Sequence, residues 1–444
     1  MPVLLQNVIT NFVSLLDNVM VGQVGTEPMS GVAIVNQLIF VFNLCIFGAL
    51  AGSGIFTAQF YGKGDERGLR ETTRFKLYTG LGSVIVFAVI FFFMGDSLIN
   101  AFIHEGNEGL DMAATFNYGR EYLHIMMIQM LPYAWTQCYS SSLREVGETV
   151  LPMKASLVAV GVNLLGNYIL IFGKFGAPEL GVAGAAIATV ISRFVECAIL
   201  MIYAHKNVHR FPLFSKLYSS FKVSAQIVKK IFRKGTPLLI NELLWSAGMT
   251  MLNQCYSLKG LEVVSATNIT STITNLFFCA TMSAGSTITI IVGQQLGANM
   301  IEEAIDNQKK ITALSIAMCV VLGAAMALCA PLMAGIYNTT DVVKEYAVQL
   351  LIVSAILLPF NSYTNTCYFT LRTGGQTVIT FLFDSVVVWC LYVPVAFVLS
   401  RFTDLEILPI YILVNCVELI KCTVGFFMCR KKTWAVNLVA DEAE

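Results

Sequence analysis

Charge is what this chain has least of. Only 13% of its 444 residues are Asp, Glu, Lys or Arg, where a soluble protein of this length carries about a quarter. Histidine occurs four times, each time alone as a possible ligand, and no metal cluster can be read. No nucleophile–base pair, phosphate loop or metal motif is present either, so nothing argues for an enzyme. Twelve cysteines lie scattered through apolar segments, without pairing or metal-like spacing, and read as small buried hydrophobes. The first apolar run starts at Pro2 without a basic flank, and no small-residue cleavage site follows it, so no separate signal peptide is expected.

What the chain has in abundance is apolar surface. Hydrophobic residues make up 56% of it, and the mean hydropathy is +0.70. The runs are long enough for membrane helices rather than barrel strands. Twelve spans are expected, near 2–22, 32–58, 78–95, 118–141, 150–173, 180–204, 236–257, 263–293, 311–336, 344–371, 376–400 and 406–429.

Net charge is zero, yet Lys and Arg collect on one side. Lys63, Arg67, Arg70, Arg74 and Lys76 follow the second span, Arg144 the fourth, Lys309 and Lys310 the eighth, Arg372 the tenth and Arg430 to Lys432 the last. The opposite side has only Lys174, Lys259, Lys344 and Arg401. The positive side faces the cytosol, so both termini are expected there, in a multi-pass plasma (inner) membrane protein. The richest basic stretch, 205–235, carries eight Lys/Arg. Within it Val223, Ile227 and Ile231 recur every four residues, predicting a short amphipathic helix suited to an anionic leaflet. Membrane spans flank the stretch, so a nucleic-acid partner is not expected.

Adding 235 carries Pro2 to Pro237, Asn18 to Asn253, Gly25 to Gly260, Gln59 to Gln294 and Gly62 to Gly297. Leu143-Arg144-x-x-Gly147-x-Thr149 likewise matches Leu371-Arg372-x-x-Gly375-x-Thr377. Six spans per copy is an even number, so both copies insert the same way up. The expected fold is an all-α integral membrane protein with twelve transmembrane helices in two pseudo-symmetric six-helix bundles. The expected divisions are 1–204 and 236–429 for the bundles, 205–235 for a cytosolic linker and 430–444 for a cytosolic tail. Two bundles with a cleft between them are the architecture of secondary transporters, working here as a monomer.

Ionisable groups inside spans cost about 2.5–3.5 kcal/mol at a helix centre, and so mark ion pathways or substrate sites. Asp17, Glu242 and Asp384 stand out, because no Lys or Arg lies within a helical turn of any of them. Glu196 and Glu418 each have a basic residue three positions away, Arg193 and Lys421, and read as structural ion pairs. No cationic residue is evident deep in a span. His124 reads as a hydrogen-bonded structural histidine. Asn163 and Asn167, four apart, share one helix face, and with Asp17 they would make a carboxylate-plus-amide pocket for sodium or a proton. Glu242, Trp245, Met249 and Asn253 lie along one face, which suits either packing or a cationic, apolar ligand.

Asp17-Asn18-x-Met20-Val21-Gly22, Gln59-Phe60-Tyr61-Gly62, Asn163-x-x-x-Asn167, Gly181 to Thr189 and Gly293-Gln294-Gln295-Leu296-Gly297 resemble the multidrug and toxic compound extrusion (MATE) family, bacterial type, over essentially the whole chain. The resemblance implies an antiporter that exports organic, often cationic, compounds or drugs in exchange for protons or sodium, without a cofactor. It implies an ion-coupling site at Asp17, Asn163, Asn167 and Thr189. The better-known branch carries acidic residues in the tenth span and further along the seventh. Here the tenth span offers Asn361 and Asn365, which join Glu242, Trp245, Met249 and Asn253 as the expected substrate cavity, while Asp384 stands in for part of the C-terminal ion site. Two other readings compete. A lipid-linked flippase of the same superfamily would have more spans and a more basic cavity. A major-facilitator transporter would need a Gly–Asp–Arg–Gly pattern that Tyr61 to Gly68 only loosely matches.

Overall fold

The computed structural model describes residues 2, 5, 6, 9, 17, 20–102, 111–220, 222–337 and 339–440. The first expected span, 2–22, lies largely outside them; its described residues 2, 5, 6, 9, 17 and 20–22 are helical. Eleven long helices follow: α1 Thr26–Lys63, α2 Glu66–Phe102, α3 Met112–Glu145, α4 Val150–Phe172, α5 Gly181–Lys206, α6 Ala225–Ser257, α7 Leu261–Gly297, α8 Ile301–Gly335, α9 Asp341–Thr373, α10 Thr377–Phe402 and α11 Ile407–Arg430. The described residues contain no strand. Nine of the eleven helices are long and apolar enough to cross a membrane. The two that fall short, α3 and α6, carry polar side chains such as Gln129, Asn241 and Glu242, which reappear below at the interior sites.

Most helices overrun their apolar windows, because a helix keeps its hydrogen bonds past the hydrocarbon edge. One overrun corrects an expectation. The amphipathic segment near Val223–Ile231 is not a separate helix: α6 begins at Ala225 and runs unbroken through Pro237. Neighbouring helices tolerate a proline inside a membrane helix, and Pro132 in α3 and Pro359 in α9 sit likewise at matching places of the two copies. In α10 the backbone takes up π-type turns from Leu382 to Val386 and from Val388 to Tyr392.

The chain divides into two compact units. One comprises 2–57 and 66–229, the other 58–65 and 230–444. In the first, Phe42, Ile46, Leu123 and Met130 are fully or nearly fully buried. Lys76 and Glu145 form an ion pair inside it, with Ser142 as a further partner of the ammonium at 3.2 Å. The segment after α5 folds down rather than hanging free, because its own apolar side chains Phe211, Leu213, Phe214 and Leu217 are buried. Arg74 fastens it by donating to the carbonyls of Leu217 and Lys216, each at 2.9 Å. Tyr139 stacks on Phe214, and its hydroxyl meets Tyr218 at 2.7 Å and His205 Nε2 at 2.9 Å.

The second unit is built on an apolar core that includes Leu252, Tyr256, Leu350, Val388 and Ile410. Here the internal repeat acquires a physical reason. A Cβ on Gly62 would strike the carbonyl of Gln294, and a Cβ on Gly297 would strike that of Gln59. The two Gln-x-x-Gly segments therefore cross backbone to backbone, and each copy needs its glycine for the other's carbonyl. The chain beyond α11 closes over them. Trp434 is fully buried, the Leu438 N–H donates to Gln59 Oε1 at 2.7 Å, and Lys63 Nζ donates to the Val439 carbonyl at 3.0 Å.

Candidate functional site

In the first unit, α4 and α5 pack closely because small residues face each other. A Cβ on Gly166 would meet Ala188 Cβ at 2.9 Å, and one on Gly184 would meet the Leu170 carbonyl at 2.5 Å. This close approach brings Asn163 of α4 to Thr189 of α5. Both α4 asparagines are buried. Asn167 Nδ2 donates to Asp17 Oδ1 at 2.6 Å, and its own Oδ1 is buried without a partner.

The Asn163 amide is oriented by its neighbours: its nitrogen donates to Asp17 Oδ1 and Oδ2 at 2.8 and 3.1 Å, and its oxygen accepts from Thr189 Oγ1 at 3.2 Å.

Asp17, Asn167 and Thr189 line a cavity of about 300 Å³, at the lower end of the range for small-molecule sites. Its polar wall includes Asn36, Tyr122, Gln129, Tyr133 and Arg193. Arg193 also forms the expected pair with Glu196, at 2.9 Å. The expectation that no cation lies deep in a span therefore fails: this arginine reaches the same cavity as Asp17. The α3 contribution was not singled out in the sequence, although Tyr122, Met126, Gln129 and Tyr133 recur at helical spacing.

The other candidates lie in the second unit. Asp384 accepts from Asn241 Nδ2 at 3.2 Å and from Lys421 Nζ at 3.1 Å. This is a second correction, because Lys421 pairs with Asp384 rather than with Glu418. Glu418 instead accepts from the hydroxyls of Thr364 and Tyr392. Ser385 holds Asn241 in place, its hydroxyl donating to Oδ1 at 2.7 Å. Asn241 also donates to the Tyr368 hydroxyl at 3.3 Å, and Tyr368 donates to Glu242 Oε1 at 3.1 Å. Arg372 lies 3.9 Å from Glu242. Both acids thus have cations that are distant in sequence and near in space.

Trp245 and Met249 pack against the apolar core, whereas Asn253 is exposed. Asn361 and Asn365 are half-buried on α9, and Asn365 Oδ1 is buried without a partner. His124 is exposed. Among the described residues, no three His, Cys, Asp or Glu side chains gather as a metal cluster.

Membrane-crossing helices in two repeated sets, with buried carboxylates and amides inside, define a multi-pass membrane transport protein. The profile of the MatE family matches residues 2–169 and 237–398, so the chain belongs to that family, the multidrug and toxic compound extrusion transporters, and is not an enzyme. It is 26% identical over 412 residues to the probable multidrug resistance protein NorM of Thermotoga maritima, covering 93% of this chain and 86% of that one. It is also 26% identical over 419 residues to the probable multidrug resistance protein YoeA of Bacillus subtilis, covering 93% and 88%. An outward-facing MATE family transporter of the MOP superfamily superposes with a TM-score of 0.87 at 19% identity, over 97% of this chain and 93% of the other. The family match removes the major-facilitator alternative.

Proposed function

We propose that this chain exports small organic compounds bearing a cationic nitrogen across the plasma membrane, in exchange for protons or sodium, by alternating access. The observation that carries this reading is the convergence of Asp17, Asn167 and Thr189 on one cavity wall, with Asn163 buried against Asp17 and Thr189. A bare carboxylate in a membrane interior is costly, and a proton or sodium ion relieves that cost. The Asn163 amide nitrogen faces the same carboxylate, within 2.8 and 3.1 Å of its two oxygens. The orphaned Asn167 Oδ1 supplies one more ligand oxygen for a hard cation. Occupation of the site neutralises Asp17 and shifts the balance between outward-open and inward-open states. The names of the relatives, multidrug resistance proteins, fit this activity.

The test is uptake of a fluorescent organic cation into inverted vesicles, with sodium and proton gradients imposed separately. Uptake driven by one of them is the expected result, and uptake driven by neither overturns the proposal. The proposed orientation, with both termini in the cytosol, has its own check. Ser219, in the segment after α5, and Thr26, at the start of α1, are both exposed. In a cysteine-free background, Ser219→Cys should resist an impermeant thiol reagent in intact cells, whereas Thr26→Cys should react; the reverse pattern would invert the topology.

A further inference from the structure

The cavity beside Asp17 has a second charge of opposite sign, and its setting is that of a built contact. Arg193 Nη1 is held by Glu196 at 2.9 Å, and the guanidinium lies over the Tyr133 ring, 5.5 Å from its centroid. These two contacts fix the plane of the group. Nε is buried and has no hydrogen-bond partner. Glu196 keeps only 6% of its side-chain surface open, against 30% for Arg193, and of the two only Arg193 lines the cavity. The pair therefore presents its cation to the cavity and hides its anion. A guanidinium has five N–H donors in a planar fork that matches a carboxylate, so the single Glu196 contact leaves donors to spare. The aromatic ring and the Glu196 carboxylate also pre-organise the fork, which reduces the ordering cost of a ligand that binds it.

We propose that Arg193 is a specificity-determining residue: it makes the cavity dipolar and selects compounds that carry a carboxylate, or a comparable acceptor, in addition to the cationic nitrogen that meets Asp17. The proposal rests on the export function above and adds a condition to it. A bare organic cation satisfies Asp17 but meets an unfavourable positive charge at Arg193. A zwitterion satisfies both ends.

The probes are a fluorescent quinolone with a free amine and a free carboxylate, and the methyl ester of the same molecule. The reading is the ratio of their initial uptake rates into inverted vesicles under whichever gradient drives transport. The wild-type protein should favour the zwitterion, and Arg193→Gln should lower the ratio about tenfold or more, the scale of one lost charge-assisted hydrogen bond. Arg193→Lys, which keeps the charge without the planar fork, should fall between. Because Arg193→Gln leaves Glu196 buried and unpaired, Arg193→Gln with Glu196→Gln serves as the second variant and should show the same fall in a protein relieved of that charge. A ratio that stays at the wild-type value in both variants, or a wild-type preference for the ester, overturns the proposal while leaving export intact. Uptake of neither probe by the wild-type protein under either gradient counts against the export function itself, and the proposal falls with it.

Discussion

Asp17→Asn is expected to abolish gradient-driven efflux while the protein still inserts and folds. The amide keeps the size of the carboxylate, and its oxygen can still accept from Asn167 Nδ2, which lies 2.6 Å from Asp17 Oδ1. What it loses is the charge that a proton or sodium ion neutralises, and with it the difference between occupied and empty states. A ligand that does not distinguish two states cannot shift their balance, so imposed gradients should no longer drive transport. The measurement is organic-cation uptake into vesicles holding matched amounts of wild-type and variant protein, under sodium and proton gradients in turn. Wild-type rates for the variant would show that coupling resides elsewhere. Slow uptake down the substrate's own concentration gradient, insensitive to both ions, would be the signature of a carrier that has kept its path and lost its drive.

The sequence revealed most about the membrane spans, because apolar run length and helix rise leave little freedom. It revealed less about their ends. Hydropathy sees only the part of a helix in hydrocarbon, so α1 begins at Thr26 and ends at Lys63, well outside the apolar window at 32–58. The Asn163–Asn167 pair was legible because a spacing of four fixes a common face. The cations were harder to place. Arg193 does pair with Glu196 as its spacing suggests, but sequence neighbours could not show that the same arginine lines a cavity. Lys421 sits three residues from Glu418, yet the hydroxyls of Thr364 and Tyr392, from two other helices, take that carboxylate and leave the ammonium to Asp384. Spacing along one helix predicts which groups can meet; partners arriving from other helices decide which do. The π-type turns around Asp384 also lay beyond sequence reading, since nothing in Leu382 to Tyr392 breaks a helical pattern.

That pairing leads to the second large expected effect. Asp384 and Lys421 keep only 17% and 11% of their side-chain surface open, at a separation of 3.1 Å. Removing one partner of a buried ion pair costs about 3–5 kcal/mol, because the survivor stays buried and uncompensated. Lys421→Met should therefore lower the melting temperature of the detergent-solubilised protein markedly and reduce its yield in the membrane. Adding Asp384→Asn removes the stranded charge, and the amide can still accept from Asn241 Nδ2, so the double variant should regain most of the lost stability. Transport by the double variant then separates two roles for Asp384. A carboxylate already neutralised by an ammonium and bound by an amide has little left to offer an incoming ion, whereas Asp17 faces an open cavity and an orphaned oxygen. On that contrast the double variant is expected to recover ion-driven efflux along with its stability, which would leave coupling to the Asp17 cluster. A double variant that folds as well as the wild type but does not transport would instead make Asp384 a coupling residue, one that works by exchanging Lys421 for an ion or a substrate.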